Sequence, residues 1–307
     1  MKKTFYQKKG YAITWIAQDI LLLKKEDRIP IISEFQEKYS LSRGTVQNAI
    51  VFLKEIGAIE IESRGHLGSF LKSINYDILQ QYALSKDIFG TMPLPYSRLY
   101  EGFATAIYDV FQKNNVQLNM AYVRGSKNRI DSVENGVYDF AVVSKFAAEQ
   151  AIKESAAIKV IEDFGPHTYL SRHIMLFAEE NLTAVEDGMK VGIDRKSYDQ
   201  QLLTMSVTKN KDVKFIDMPG HQLIYALNNK QIDLGVWNYD EIREKNYQNL
   251  NYQFIPKSKM QEDMSSLVMV CRKDNHMMER VLKNILITND ILEIQNKVLT
   301  GQLVPRY

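Results

Sequence analysis

Two stretches of this sequence follow one pattern. The segments "ENGVYDFAVVSK" (residues 134–145) and "NNKQIDLGVWNY" (residues 228–239) each run from a helix end through a turn and an aspartate to an apolar strand with a polar tip. Strands that alternate with helices are typical of α/β layers. The repeat therefore predicts two similar α/β lobes, each with a mostly parallel sheet.

Apolar runs around the two stretches supply further expected strands. Ile174–Ala178 and Leu267–Cys271 are candidate crossover strands between the lobes, and helices near Met277–Leu286 and Asp290–Leu299 are expected to return to the first lobe. Two α/β lobes with two crossings predict a two-lobed, periplasmic-binding-protein-like (type II) domain over residues 75–307. Lobe one is expected at about 85–180 and 267–307, and lobe two at about 188–256.

Residues 1–74 carry a different pattern, that of three helices and a hairpin. Ser42 is a good N-cap for the third helix, and Gly57 suits the position after its end. Apolar residues recur at helical spacing in the first and third helices, at Ile13, Ile16, Ala17 and Ile20 and at Val46, Ala49, Ile50 and Leu53. Two strands around a glycine-rich turn follow, so the segment predicts a winged helix-turn-helix.

The polar face of the third helix is a candidate DNA-binding surface. Arginine can bond guanine through two hydrogen bonds, and glutamine or asparagine can bond adenine in the same way, while hydroxyls at a helix start suit phosphate oxygens. The candidates on this helix are Ser42, Arg43, Thr45, Gln47 and Asn48. Residues 1–75 carry 12 Lys+Arg and 8 Asp+Glu, a net +4, whereas the remainder carries −2. This division favours a polyanion as the partner of the N-terminal segment alone.

The segment "LSRGTVQNAIVFLKEIGAIEIESRGHLGSF" resembles the recognition helix and wing of GntR-type winged helices, over residues 11–72. The resemblance implies double-stranded DNA as a partner, with Arg43 and Thr45 at the DNA and with Arg64 and His66 on the wing. Lys2, Lys3, Lys8 and Lys9 form a basic leading arm, for which a phosphate-contacting role and a frayed terminus both stay open.

Polar residues at the expected strand ends are candidate contacts for a small-molecule effector. Ligands bind such sheets beyond the carboxyl ends of the strands, where helix N-termini face the cleft. The candidates are Ser97, Arg124, Ser126, Ser144, Lys145, Lys196, Ser197, Gln222 and Trp237. Hydroxyls, helix-start N–H groups, Arg124 and Lys145 favour an anionic ligand. An ordinary capping or surface role stays open for each of these residues.

A second resemblance covers nearly the whole chain. The segments "GTMPLPYSRLYEGFATAIYDVF" and "AYVRGSKNRIDSVENGVYDFAVVSKFAA", preceded by the winged helix, are similar to YhfZ-type transcriptional regulators. The resemblance implies a DNA-binding head on a binding-protein-like body, and it names no ligand.

Composition narrows the remaining function classes. The single cysteine, Cys271, cannot form an intrachain disulfide, which favours a reducing, cytoplasmic location, and no apolar segment approaches the ~20 residues of a membrane span. The sequence has no HExxH, GxSxG, Walker or GxGxxG motif and five scattered histidines, so we expect no catalytic residues, metal or cofactor. The sequence favours a ligand-responsive, homodimeric transcriptional regulator. The alternative is an enzyme on a binding-protein-like fold, and a solute-binding transport receptor comes third.

Overall fold

A computed structural model describes residues 2–84, 87–247 and 250–307 of the chain, with side chains from Gly10 onward. The helices are α1 (Lys2–Leu21), α2 (Ile32–Tyr39), α3 (Arg43–Glu55), α4 (Tyr76–Ala83), α5 (Arg98–Lys113), α6 (Ser126–Glu134), α7 (Lys145–Lys153), α8 (Tyr198–Val207), α9 (Leu223–Asn228), α10 (Tyr239–Lys245), α11 (Lys259–Ser265), α12 (His276–Ile285) and α13 (Thr288–Leu299). The strands are β1 (Ile59–Ser63), β2 (Ser69–Ile74), β3 (Ile88–Met92), β4 (Leu118–Tyr122), β5 (Phe140–Ser144), β6 (Ile158–Asp163), β7 (His173–Phe177), β8 (Lys190–Ile193), β9 (Lys214–Asp217), β10 (Leu234–Asn238), β11 (Asn251–Phe254) and β12 (Leu267–Arg272).

The chain divides into two compact units. The head unit comprises the residues up to Ile88 together with Phe111–Gln117 and Asn275–Leu286. The body unit comprises Phe89–Val110, Leu118–Asp274 and Ile287–Tyr307. No helix in the described ranges is long and apolar enough to cross a membrane.

The head unit contains the predicted winged helix-turn-helix. Ser42 caps α3, because its Oγ accepts a hydrogen bond from the backbone N–H of Thr45 (3.3 Å). Gly57 follows the end of α3 with a φ of +74°, a left-handed conformation that favours glycine. β1 and β2 pair antiparallel and form the wing. The basic side chains expected on a leading arm, Lys2, Lys3, Lys8 and Lys9, lie outside the described residues.

The head unit also contains a helix from far along the sequence. On α12, Arg280 donates hydrogen bonds to the carbonyl oxygens of Leu21 and Leu23 (3.2 Å each) and to the Tyr76 hydroxyl (3.1 Å). Carbonyls at a helix end attract cations, and Leu21 is the last residue of α1. The sequence predicted that residues Met277–Leu286 return to lobe one and that the head ends at residue 74. In the structure, the chain up to Ile88 and the α12 segment belong to the head unit. The physical reason is that Arg280 of α12 bonds to the end of α1 and to Tyr76 of α4.

The body unit contains two five-stranded sheets of the same design. Lobe one has the strand order β4-β3-β5-β12-β6, and lobe two has the order β9-β8-β10-β7-β11. Both sheets are mixed rather than mostly parallel: β3 runs parallel to β5 and β8 runs parallel to β10, whereas β12 and β7 run antiparallel to both of their neighbours. Each sheet packs apolar side chains against its helices, as Ala141 and Val143 do in lobe one and Leu176 in lobe two.

Two strands differ from their expected positions. β7 belongs to the sheet of lobe two, where it pairs with β10 and β11, although the expected division assigned residues up to 180 to lobe one. β3 is a strand that was not among those expected from the sequence. Its Gly90 has a structural role, since a Cβ there would lie 2.2 Å from the ring of Phe140. The chain crosses between the lobes twice, from β6 to β7 through residues 164–172 and from β11 to β12 through residues 255–266.

Candidate functional site

The exposed face of α3 is the first candidate site. Arg43, Gln47, Asn48 and Lys54 are exposed on this face. The Arg43, Gln47 and Asn48 side chains make no hydrogen bond or ion pair with the rest of the described chain. The hydroxyls of Ser42 and Thr45 lie 2.8 Å apart at the helix start. The structure thus brings together the five residues that the sequence predicted on this helix.

The wing residues have a different environment. Arg64 donates to Glu26 Oε2 (2.6 Å) and to Glu62 Oε2 (2.7 Å), and its guanidinium lies 4.6 Å from the centre of the Phe70 ring. Hydrogen bonding to Arg64 holds the pKa of Glu26 below its usual value. His66 lies exposed in a short 3₁₀ turn, Gly65–Leu67, at the tip of the wing. Arg64 is therefore on the wing as predicted, but its charge is already paired.

The second candidate site is a cavity of about 120 Å³ between the lobes of the body unit. An aromatic cluster forms one part of its wall: the Tyr96 ring lies 5.7 Å from that of Trp237 and 5.1 Å from that of Tyr100, which lies 5.1 Å from that of Tyr169. The indole N–H of Trp237 is occupied, because it donates to Glu241 Oε2 (2.8 Å). The cavity therefore offers flat apolar surfaces beside a few polar groups.

Four of the nine predicted ligand contacts line this cavity, namely Arg124, Ser126, Ser197 and Trp237. Ser97, Ser144, Lys145, Lys196 and Gln222 are not in its wall. Lys145 instead pairs with Asp163 (2.9 Å), which raises the pKa of the lysine. Lys196 and Gln222 are exposed, and Ser97 is buried away from the cavity. The two predicted lysines therefore contribute no direct contact here.

Several predicted residues hold the lobes together instead. Ser126 Oγ, in lobe one, accepts a hydrogen bond from Tyr198 N in lobe two (3.0 Å). Ser144 Oγ donates to the Asp199 carboxylate across the lobes, at 2.8 Å to Oδ1 and 2.7 Å to Oδ2. Gly125 lets the lobes approach, because a Cβ there would lie 2.7 Å from the carbonyl oxygen of Lys196. The lobes are thus closed on one another through their own side chains.

Sequence reasoning missed two charged residues in the cavity wall. Arg129 is buried and donates to the carbonyl oxygens of Val142 (3.0 Å) and Val123 (2.7 Å) and to the Tyr169 hydroxyl (3.1 Å). Asp199 is buried as well, and burial raises its pKa to about 7. Both residues lie near the start of a helix that begins at the cleft, Arg129 in α6 and Asp199 in α8. A charged residue at such a position is the sequence signal that could have predicted them as cavity residues.

Two buried nitrogen atoms of side chains in the wall lack hydrogen-bond partners among the described residues. His173 Nδ1 and Asn238 Nδ2 form no hydrogen bond with the part of the chain that the structure describes. Burial lowers the pKa of His173 to about 4, so its imidazole is neutral at physiological pH. Because buried polar groups are nearly always hydrogen-bonded in proteins, these two groups could bond a ligand in the cavity.

Comparisons with known proteins agree with this architecture. A family model described as "YhfZ C-terminal domain" matches residues 75–307, and one described as "Helix-turn-helix domain" matches residues 24–71. The "Uncharacterized protein YhfZ" of Escherichia coli is 30% identical over 307 residues, which is 100% of both chains.

Solved structures support the same conclusion for the fold. The crystal structure of YhfZ from Shigella flexneri matches with a TM-score of 0.62 and 27% identity, covering 75% of this chain and 97% of that chain. An amino acid ABC transporter substrate-binding protein from Streptococcus pneumoniae, bound to L-arginine, matches with a TM-score of 0.50 and 15% identity, covering 71% of this chain and 96% of that one. The chain thus has a helix-turn-helix domain joined to a two-lobed, binding-protein-like domain. Because the YhfZ family model matches residues 75–307 and the Escherichia coli protein matches the full length, the chain belongs to the YhfZ family.

Proposed function

We propose that the chain is a DNA-binding transcriptional regulator whose DNA affinity is controlled by a small molecule bound between its two lobes. The observation that carries this proposal is the combination, in one chain, of an unpaired polar face on α3 with a cavity between two lobes. Free polar side chains on a recognition helix are available to base edges. A concave site with apolar walls and a few polar groups is the common form of a ligand site.

The proposed DNA contacts follow from exposure. Arg43, Gln47 and Asn48 on α3 are assigned to base edges in the major groove, and Ser42 and Thr45 to phosphates. Arg64 and His66 are assigned to the backbone through the wing, which is proposed to be of the GntR type. The helix order, the short turn and the antiparallel wing support this assignment.

The proposed effector is a small anion. The cavity of about 120 Å³ is smaller than the roughly 150 Å³ cavity that accommodates benzene, so the effector has about six non-hydrogen atoms or fewer while the lobes are closed. Arg124 and Arg129 are the cations in its wall, while Asp194 and Asp199 are its carboxylates. Because Lys145 and Lys196 lie elsewhere, the preference for an anion depends on the two arginines.

Two chains are proposed to act together in the cytoplasm. A dimer would place two heads on half-sites spaced by about 34–36 Å per helical turn, so a small change in the body alters whether both heads dock. Light scattering of the protein with and without operator DNA measures this. One chain per DNA would contradict the dimeric part of the proposal.

The proposal is tested by fluorescence anisotropy on duplex fragments from upstream of its own gene. We expect affinity to fall with salt, with a log–log slope of about −0.9 per neutralised phosphate. A panel of carboxylic acids of up to about six non-hydrogen atoms is then titrated in. Arg124→Ala should lose the response to the active compound and keep the DNA affinity of the free protein. Absent or salt-independent DNA binding would contradict the proposal.

An enzyme on the same body is the second candidate, favoured by one observation. Asp199, with a pKa of about 7, lines the cavity, and perturbed carboxyl groups in cavities are typical of catalytic acids and bases. Turnover of a panel compound that disappears in Asp199→Asn, without any DNA binding, would favour the enzyme. A DNA response to the same compound without turnover favours the regulator.

A further inference from the structure

A groove of about 560 Å³ lies on the two crossings that connect the lobes. Pro166, His167, Ser171 and Arg172 line it from the first crossing. From the second crossing it is lined by Ile255, Lys257, Ser258, Gln261 and Glu262. The two crossings are joined by hydrogen bonds, from His167 N to Ser265 Oγ (3.1 Å) and from Tyr169 N to the Ser265 carbonyl oxygen (2.9 Å). No described residue lines both this hinge groove and the inter-lobe cavity. The groove is therefore a separate site at the hinge.

The hinge groove has excess positive charge. Arg172 lies with its guanidinium 3.8 Å from the centre of the Phe254 ring, which fixes its plane, and its hydrogen bond to the Ile255 carbonyl oxygen is long (3.5 Å). Lys257 is an exposed second cation in the wall. Glu262 is the carboxylate there, so the wall has two cations and one anion; Lys259 lies 3.5 Å from Glu262 and 2.9 Å from Asp263. An arginine held on an aromatic ring presents its N–H edge to an anion at a small entropic cost.

The wall also contains buried donors without partners. Gln261 is 8% exposed, and its amide Nε2 has no hydrogen-bond acceptor among the described residues. The hydroxyl of Ser171 is likewise buried and without a partner in the described chain. A buried donor left unpaired costs free energy, and a ligand oxygen would remove that cost.

We propose that the hinge groove binds the phosphate group of a phosphorylated small molecule. A phosphate monoester carries close to two negative charges and three strong acceptor oxygens. Arg172 and Lys257 match the charge, and Ser171 and Gln261 match the remaining oxygens. The groove volume leaves room for the organic part of the ligand. Because such a ligand touches both crossings, it binds one arrangement of the lobes better than another and thereby shifts their closure.

The test uses the full-length protein and isothermal titration calorimetry with phenyl phosphate, inorganic phosphate and phenol. We expect both phosphates to bind and phenol to bind at least about tenfold more weakly, since charge-assisted hydrogen bonds supply the affinity. Arg172→Gln and Lys257→Gln should each weaken phenyl phosphate by about tenfold. Arg195→Gln, an exposed arginine paired with Asp217 in lobe two, is the matched control and should bind as the wild type does.

Three further variants distinguish binding in the hinge groove from binding in the inter-lobe cavity. Gln261→Glu, almost the same shape, should abolish phosphate binding, whereas Gln261→Met should weaken it by only a few fold. Arg124→Gln, in the inter-lobe cavity, should leave it unchanged. Equal affinities for phenol and phenyl phosphate, wild-type binding by Arg172→Gln and Lys257→Gln, loss of binding in Arg124→Gln alone, or no binding to the wild type would each overturn the proposal.

Discussion

The recognition helix and the inter-lobe cavity use polar side chains in opposite ways. On α3, Arg43, Gln47 and Asn48 extend into solvent without described partners. Between the lobes, Ser126, Ser144 and their partners are hydrogen-bonded to one another. The exposed side chains on α3 can bond a partner without losing an existing hydrogen bond. The side chains between the lobes would have to break hydrogen bonds that stabilise the fold. The difference teaches that a polar residue near a cleft is a binding candidate only if its bonding capacity is unfilled.

The largest expected effect is on stability, from Asp199→Asn. Burial raises the Asp199 pKa from 3.8 to about 7, so the folded chain keeps a proton that the unfolded chain loses as pH rises through this window. Wild-type stability therefore falls with rising pH, and asparagine removes that loss, by about 4 kcal/mol above pH ~7. The measurement is the difference in unfolding free energy between the two proteins at several pH values, from Trp237 fluorescence in a Trp15→Phe background.

The unfolding free energies of the two proteins are compared as a difference because the pKa shift of His173 changes stability with pH in the opposite direction. Its pKa falls from 6.5 to about 4, so its contribution to stability is present above 6.5 and is lost as pH falls through about 4. Subtracting the wild type cancels this contribution. A stability difference that does not change with pH would mean that Asp199 is solvated, and the contrast with α3 would weaken.

Arg280→Ala should destabilise the head unit by about 3 kcal/mol, because three hydrogen bonds to Leu21, Leu23 and Tyr76 are lost together. Arg43→Ala is the matched control and should change stability by less than about 0.5 kcal/mol, as expected for an exposed side chain. Unfolding followed by Trp15 fluorescence in a Trp237→Phe background reports on the head. Equal destabilisation by both changes would remove the distinction between engaged and free arginines.

Arg43→Ala should instead lower specific DNA affinity, by about 1–3 kcal/mol, since a base contact from a rigid helix is lost. Anisotropy titrations at one fixed salt concentration measure this. Lys54→Ala, on the same exposed face, should reduce affinity more evenly across sequences. Wild-type operator affinity in Arg43→Ala would show that α3 does not read the DNA.

Arg64→Ala should have the smallest effect on DNA affinity, below about 1 kcal/mol. Glu26 and Glu62 already pair with this guanidinium, so a phosphate must compete with them. The double variant Glu26→Gln/Glu62→Gln should tighten DNA binding by removing the competition. A loss as large as that of Arg43→Ala would contradict the view that paired charges contribute little to binding.

The sequence predicted the recognition helix better than the cleft, for a physical reason. Exposure on α3 follows from the helical period, which places Val46, Ala49 and Leu53 inside and Arg43 and Gln47 outside. Ser144 was also correctly placed at a strand end, but its partner, Asp199, is 55 residues away in the other lobe. A local pattern cannot indicate which side chain fills a hydrogen bond from a different lobe.

The fold shows the same limit. Two α/β lobes were predictable from the repeated strand pattern, but β3 was not. Gly90 and the turn-forming residues after it do not give the sequence pattern of a strand, although Phe140 packs against this strand in the structure. The position of α12 was missed as well, since its apolar face suits any core. The contacts of Arg280 with α1 and Tyr76, and those of Asn284 with Asp77 and Gln80 of α4, assign it to the head.

The position of α12 in the head unit determines whether that unit can be separated from the rest of the chain. The helix buries Met278, Val281, Leu282 and Ile285, and it lies between two segments of the body in the sequence. A fragment cut at Ile88 would leave the carbonyls of Leu21 and Leu23 without their cation and would lack this apolar face. The head unit therefore cannot be separated by one cut in the chain. A chimera that exchanges head units between relatives must also include α12, from the segment Asn275–Leu286.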